Sequence, residues 1–355
     1  MYEDVSHISN SGHIVSGVLP AGLSERKVDS MRAVMSTLRR AAIATVLALL
    51  IPFGIAVLGN AATASAAFNP SGSDFWVDSS MGPIKSRIFR ANDGNTNRVV
   101  YALDGLRARD DLNAWERDTE AARTLTAANI NVVMPVGGQS SFYTDWYAPS
   151  NFNGQKITYK WETFLTQNLR NALSARLGFS PNRNGIFGLS MGGSAALTLA
   201  AYHPDQFVYA ASFSGYLNIS APGMREGMRV ALLDSGRFNI DAMWGPPWDP
   251  AWLRNDPFVF APRLRDQGTR LWISAGSGLP GPFDRPMTPL DYYNTGNAMG
   301  LEAIALANTR AFQLRMASLG ANNVTYSFPN VGTHSWAYWA DEVNKMTPDL
   351  SAHIG

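Results

Sequence analysis

Ser190 sits at the centre of Gly188-Leu189-Ser190-Met191-Gly192, a G-x-S-x-G pentapeptide, and this junction limits the folds open to the chain more than any other stretch. Asn184 to Phe187 before it reads as a short buried strand, and Gly193 to Ala201 after it reads as a small-residue helix. A sharp strand-to-helix turn leaves room only for small neighbours and lifts its central side chain clear of the backbone, as a nucleophilic serine requires. The competing reading, a glycine-rich turn with an incidental serine, gives no reason for the pentapeptide to fall between a strand and a helix.

The rest of the chain is consistent with helices packed on a mostly parallel sheet. Strand-like apolar runs occur at Arg98 to Leu103, Ile130 to Pro135, Gly185 to Leu189, Val208 to Phe213, Arg270 to Ala275 and Val324 to Phe328. Helical patterns occur at Trp161 to Leu177, Gly193 to Tyr202, Leu301 to Leu319 and Ala337 to Met346. Met243 to Pro262, rich in Trp and Pro, reads as a loop-rich flap rather than a separate domain. At 355 residues with 46% hydrophobic composition, one large core is affordable, so the expected organisation is residues 68–355 as one catalytic domain. A net charge of +1 gives no electrostatic case for nucleic acid. The absence of cysteine excludes a disulfide framework, a thiolate metal site and a cysteine nucleophile. No metal or other cofactor is expected, because Asp104, Asp110 and Asp111 have no histidine or cysteine partner in sequence and read as loop and cap residues.

Residues 1–67 carry the expected address. Arg32, Arg39 and Arg40 precede an apolar stretch from Ala41 to Leu58 and then Ala64-Ser65-Ala66-Ala67, the layout of a secretory signal with cleavage after Ala66 or Ala67. The stretch also approaches the length of a spanning helix, which would keep it as an anchor. Glu3, Asp4, Glu25 and Asp29 precede the signal, which makes Met31 and Met35 alternative starts.

A serine hydroxyl is a weak nucleophile until a histidine takes its proton and a carboxylate orients that histidine. Among five histidines, His7 and His13 precede the signal, His203 ends the helix after the serine, and His353 is the third residue from the C-terminus. His334, in Gly332-Thr333-His334-Ser335-Trp336 after the last strand, is the candidate base. Asp284, Asp291 and Glu302 all fall between the strand ending near Ala275 and His334, and their order in the chain does not rank them as the acid. An oxyanion hole needs two backbone N–H groups, one from the residue after the nucleophile, Met191, and one from a loop after an early strand. Leu106 in Leu103-Asp104-Gly105-Leu106-Arg107 fits the second place better than the Gly137-Gly138 turn.

Several of these segments, taken together, match a family. Asp104-Gly105-Leu106-Arg107-Ala108, the run from Met134 to Tyr143, Asp145-Trp146-Tyr147, Tyr159 to Leu165, Gly188-Leu189-Ser190-Met191, Met243-Trp244-Gly245-Pro246 and Gly332 to Trp336 resemble the antigen 85 mycolyltransferases. The similarity runs from about Phe68 to the C-terminus. The resemblance implies an α/β-hydrolase fold and a secreted, cell-wall-associated acyltransferase that moves mycolyl chains between trehalose monomycolate and trehalose dimycolate and onto arabinogalactan. It selects Glu302 as the acid beside Ser190 and His334, and Leu106 and Met191 as oxyanion donors. It also implies a sugar site containing Asp104, Leu106, Arg107, Asn218, Ser335 and Trp336. Three departures stand out. Gly192 occupies a place where relatives often carry alanine, which should relax the elbow; Asn218 stands where some relatives carry an acidic residue; and the Ser277 to Phe283 loop is less polar than usual. Two alternatives remain: a secreted carboxylesterase of the same fold, and a cell-surface binder, since some relatives bind fibronectin and some lack the nucleophile.

Overall fold

The computed structural model describes residues 71–355; the signal segment, its cleavage point and the alternative starts lie outside the described residues. An eight-stranded sheet forms in the order β1-β2-β4-β3-β5-β6-β7-β8. Its strands are β1 (Ser73–Val77), β2 (Ile84–Phe89), β3 (Val99–Leu103), β4 (Asn131–Pro135), β5 (Asn184–Leu189), β6 (Phe207–Phe213), β7 (Arg270–Ser274) and β8 (Val324–Ser327). β1 and β2 pair antiparallel with each other, and β2 pairs antiparallel with β4. From β4 across to β8 every pairing is parallel. The architecture is the expected α/β-hydrolase arrangement, with the six anticipated strands displaced by no more than one residue at each end. β1 and β2 were not anticipated.

The sheet is covered on both faces, which is why its central strands are continuous apolar runs. Alternate residues point to opposite sides: Tyr101, Leu103 and Ile186 join one core, while Val100, Ala102, Phe187 and Leu189 join the other. The first core takes in α4 (Met191–Tyr202) and α8 (Pro257–Asp266), together with Phe312 and Met316 of α9 (Pro289–Ser318). The second is closed by α2 (Ala121–Ala127) and by Trp339, Val343, Met346 and Leu350 of α10 (Trp336–His353). Trp161–Thr163 opens a helix that passes through a π turn at Phe164–Asn168 into α3 (Leu169–Leu177). The Trp- and Pro-rich stretch is more ordered than a flap: it carries α6 (Ile240–Trp244), α7 (Ala251–Arg254) and the start of α8, and Trp244 and Trp252 pack edge-to-face, 5.1 Å apart. α5 (Met224–Gly236) precedes it. Among the described residues no helix is long and apolar enough to cross a membrane.

A buried ion pair fixes the approach to the functional edge. Arg87 on β2 donates two hydrogen bonds of 2.8 Å to Glu116 on α1 (Ala114–Asp118), and both side chains are fully buried. The Arg87 guanidinium also reaches Asp74 on β1. The pair therefore ties α1 to the sheet, and α1 in turn holds the loop after β3: Ala114 N–H, at its first residue, binds Asp104 Oδ2 at 2.8 Å. Removing Glu116 strips the buried Arg87 guanidinium of its fully buried counter-charge, and breaking such a pair costs about 3–5 kcal/mol. Glu116→Leu should lower the unfolding free energy from denaturant titration by that order, and a value matching the parent protein would contradict this account.

Candidate active site

Parallel strands bring their C-terminal ends to one edge, where ligands of such sheets bind. β3 and β5 are neighbours, with Leu103 opposite Gly188, so the loop that follows β3 and the turn that follows β5 emerge side by side. Their contact is tight: a Cβ added to Gly192 would lie 2.4 Å from the Asp104 carbonyl oxygen, and one added to Gly188 would lie 2.4 Å from the Gly192 oxygen. Gly192 therefore does not relax the elbow as expected from its departure from the family pattern. It is what allows the two loops to touch.

Ser190 caps α4 with φ 51° and ψ −121°, a conformation rare for a residue with a side chain. The surrounding bonds hold it there: Ser190 N–H donates to Phe213 O on β6 at 2.8 Å, and Gly193 N–H donates back to Ser190 O at 3.0 Å. Met191 is the first residue of α4, where the leading N–H groups have no intrahelical acceptor and face the same edge. Leu106, two residues past Asp104, brings the β3 loop to that edge, and its carbonyl anchors Ser140 N–H at 2.9 Å.

The structure brings Glu302 and His334 together. His334 Nδ1 lies 2.8 Å from Glu302 Oε2, with Glu302 1% exposed. A proton on Nδ1 shared with the carboxylate leaves Nε2 as the basic nitrogen. The other Glu302 oxygen accepts from Ser214 Oγ at 2.7 Å and from Gly276 N–H at 2.5 Å, so this buried charge is met by three donors. Ser214, just past β6 and itself at φ 52°, accepts from Trp339 Nε1 at 2.9 Å. The His334 ring stands edge-on to Trp339, with centroids 4.9 Å apart, and His334 N–H donates to Ala298 O of α9. Tyr216, three residues past β6, lies on the same edge, its ring centroid 6.3 Å from that of His334.

The other acid candidates are committed elsewhere. Asp291 closes the capping box of α9 with Thr288, whose N–H together with that of Met287 holds the carboxyl below the usual range. Asp284 accepts from Tyr338 Oη at 2.6 Å, Thr333 Oγ1 at 2.7 Å and Gly281 N–H at 2.9 Å. His203 lies at the far end of α4 from Ser190, 2.8 Å from Glu162, and lines a separate cavity with Arg254 and Trp244.

The residues expected to contact sugar are arranged unequally. Asp104 is 4% exposed, and its oxygens accept from Gly105 N–H and Ala114 N–H, so its carboxylate is spent on shaping the loop. Arg107 is exposed and paired with Asp234 of α5. Asn218 is half-buried and its carbonyl accepts from Ala221 N–H. Ser335 is the N-cap residue of α10 and Trp336 its first residue, with the Trp336 ring edge-to-face against Trp115 and Trp339 at 5.3 Å each. Ser214, Gly276, Tyr216 and Trp339 were not singled out in sequence. The one local signal is a small polar residue, Ser214, directly past the end of a strand on the functional edge.

Comparisons with known proteins agree with this fold. The Esterase family model matches residues 82–350. A diacylglycerol acyltransferase/mycolyltransferase Ag85B of Mycolicibacterium smegmatis is 42% identical over 324 residues, covering 89% of this chain and 96% of that protein. An Ag85C of the same description from Mycobacterium leprae is 46% identical over 257 residues, covering 72% of this chain and 75% of the relative. Among solved structures, MPT51 (FbpC1) of Mycobacterium tuberculosis superposes with a TM-score of 0.70 at 30% identity, over 81% of this chain and all of that one.

Burial pushes the Asp104 carboxyl up to about 6, against the pull of its two backbone N–H donors. Because the folded state holds the proton more tightly than the unfolded chain, Asp104 favours folding most below pH 4, and that contribution disappears as pH rises past 6. The shift corresponds to about 3 kcal/mol. Stability measured from pH 4 to 7 should fall in the parent relative to Asp104→Asn by that order; parallel curves would contradict the buried-carboxylate account.

Proposed function

This chain belongs to the Esterase family and, within it, to the antigen 85 mycolyltransferases, and from that premise we propose a two-step acyl transfer carried by Ser190, Glu302 and His334. The carrying observation is the buried Glu302–His334 hydrogen bond at the same sheet edge that carries Ser190 in a strained turn. In the first step His334 Nε2 takes the Ser190 proton as Oγ attacks the carbonyl carbon of trehalose monomycolate. The negative oxygen of the tetrahedral species is received by the N–H groups of Leu106 and Met191, aimed at where charge develops. The species collapses with release of trehalose, protonated by His334, leaving the mycolyl group on Ser190.

In the second step a sugar hydroxyl gives its proton to His334 as its oxygen attacks the acyl carbon, and Ser190 Oγ leaves and regains a proton. With trehalose monomycolate as acceptor the product is trehalose dimycolate; with arabinogalactan it is a mycolylated cell-wall polymer. Transfer over hydrolysis requires an acceptor pocket that holds sugar against the acyl-serine better than it holds water. Arg107, Asn218, Ser335 and Trp336 are proposed for that pocket, with Asp104 acting through the loop it shapes. Residues 1–67 are read as the leader of an exported protein and 68–355 as its catalytic domain, and the cell wall is the proposed place of the activity.

Incubation of the purified protein with trehalose monomycolate should yield trehalose dimycolate and free trehalose. Ser190→Ala should lower that yield by roughly 10³-fold or more. Free mycolic acid as the sole lipid product, at a rate indifferent to added trehalose, would instead identify a plain esterase.

A further inference from the structure

Asp284, one of the carboxylates that chain order leaves open as the acid, is bonded to the chain on both sides of His334. Its Oδ1 accepts from Thr333 Oγ1 at 2.7 Å, immediately before the histidine, and its Oδ2 accepts from Tyr338 Oη at 2.6 Å, in the first turn of α10. Gly281 N–H donates to Oδ2 at 2.9 Å and Asp284 N–H donates back to Gly281 O at 3.0 Å, which closes the carboxylate's own loop into a turn. That loop runs from β7 into α9, the helix that carries Glu302. A backbone ladder joins the same two segments: Gly278 N–H donates to Gly332 O and Gly332 N–H donates to Leu279 O, both at 2.8 Å. The approach is close, since a Cβ added to Gly276 would lie 2.5 Å from the Gly332 oxygen and one added to Gly281 would lie 2.7 Å from Tyr338 Oη. The ladder ends at Gly332, and at the next residue, Thr333, buried at 1% exposure, the Asp284 carboxylate takes over.

We propose that Asp284 is a positioning residue: by gripping Thr333 and Tyr338 it fixes the backbone that carries His334, so that the imidazole keeps Nδ1 on Glu302 while Nε2 serves the serine. The proposal rests on His334 acting as the base of Ser190. Asp284 works through the histidine and takes no part in proton transfer.

A single hydrogen bond from Nδ1 to Glu302 sets a distance but leaves the ring free to swing about that contact. His334 N–H, 3.1 Å from Ala298 O of α9, holds one point of the backbone. Neither bond stops Thr333 and the start of α10 from shifting together, whereas a carboxylate that spans both sides of the histidine does. Hydrogen bonds to an ionised acceptor are stronger than neutral ones, and Asp284 accepts three. Burial, then the Asp284 carboxylate, push the Tyr338 ionisation up to about 12, so Tyr338 remains an O–H donor at neutral pH. Misplacing a catalytic group by about 1 Å can cost roughly 10²-fold in rate. Ester binding in the ground state does not use the imidazole, so the loss falls on kcat rather than KM.

The test is steady-state hydrolysis of p-nitrophenyl butyrate by the parent, Asp284→Ala, Asp284→Asn and Thr333→Val, read together with the melting temperature and the downfield Nδ1 proton resonance of His334, assigned by its absence in His334→Gln. Asp284→Ala should lower kcat roughly 10- to 100-fold with KM within about twofold, and should broaden or abolish the resonance. Asp284→Asn, which keeps an acceptor for Thr333 Oγ1, should recover kcat to within about threefold of the parent. Thr333→Val removes one of the three bonds at nearly the same side-chain shape, so it tests the proposal even where Asp284→Ala folds poorly, and its kcat should fall roughly 3- to 10-fold. A parent-like kcat in Asp284→Ala or in Thr333→Val would overturn the proposal, as would a fall in kcat and melting temperature with the imidazole resonance unchanged, which marks a structural role. A parent that forms no Ser190-linked butyryl adduct by intact mass would sink the acyl-serine reading and this proposal with it, whereas normal acylation of the parent beside a parent-like Asp284→Ala sinks the proposal alone.

Discussion

The functional edge of this sheet is organised around one desolvated charge. Glu302 lies 1% exposed inside the protein, and an ionised carboxylate there is tolerable only because Ser214, Gly276 and His334 each give it a hydrogen bond. Those three donors come from the end of β6, the segment after β7 and the loop before α10. Satisfying the charge therefore sets where three separate parts of the chain meet. His334 is oriented as a by-product of the same requirement, with Nδ1 committed to the carboxylate. Trp339 closes the arrangement twice over, donating to Ser214 and standing edge-on to the imidazole.

A second constraint acts on the serine. The left-handed φ at Ser190 costs free energy that the local bonds to Phe213 and Gly193 offset, and the same turn admits no side chain at Gly188 or Gly192. The buried Arg87–Glu116 pair supports this from the other side, since α1 carries the N–H that binds Asp104 and so positions the Leu106 loop against the elbow. Stability and site geometry are thus coupled through a few buried polar groups, each expensive to leave half-satisfied.

What could be read in the sequence follows from what is local. The central strands β3, β5 and β6 are buried on both faces and appear as largely apolar runs, and the elbow is a contiguous motif with its own steric logic. β1 and β2 escaped because Asp74, Lys85 and Arg87 interrupt them, and Arg87 becomes a core residue only when Glu116 arrives from α1. α9 begins at Pro289, twelve residues before the expected start at Leu301, because Gly296 and Gly300 disguise its first half. The Thr288–Asp291 capping box was the overlooked signal there. In the Trp- and Pro-rich stretch, the Asp256–Pro257 start of α8 was likewise a helix signature taken for loop. Ser214 and Trp339 belong to no motif. Their importance arises where β6, α4, α9 and α10 converge, and that convergence is tertiary.

The central claim is that the Glu302-held imidazole makes Ser190 a nucleophile, and trapping the covalent intermediate tests it most directly. Rapid acid quench of the protein turning over trehalose monomycolate, followed by peptide mass analysis, should locate a mycolyl ester on Ser190 in the parent and little of it in Glu302→Gln at the same quench time. An acyl group found on another residue, or on Ser190 to the same extent and at the same rate in Glu302→Gln, would contradict the account.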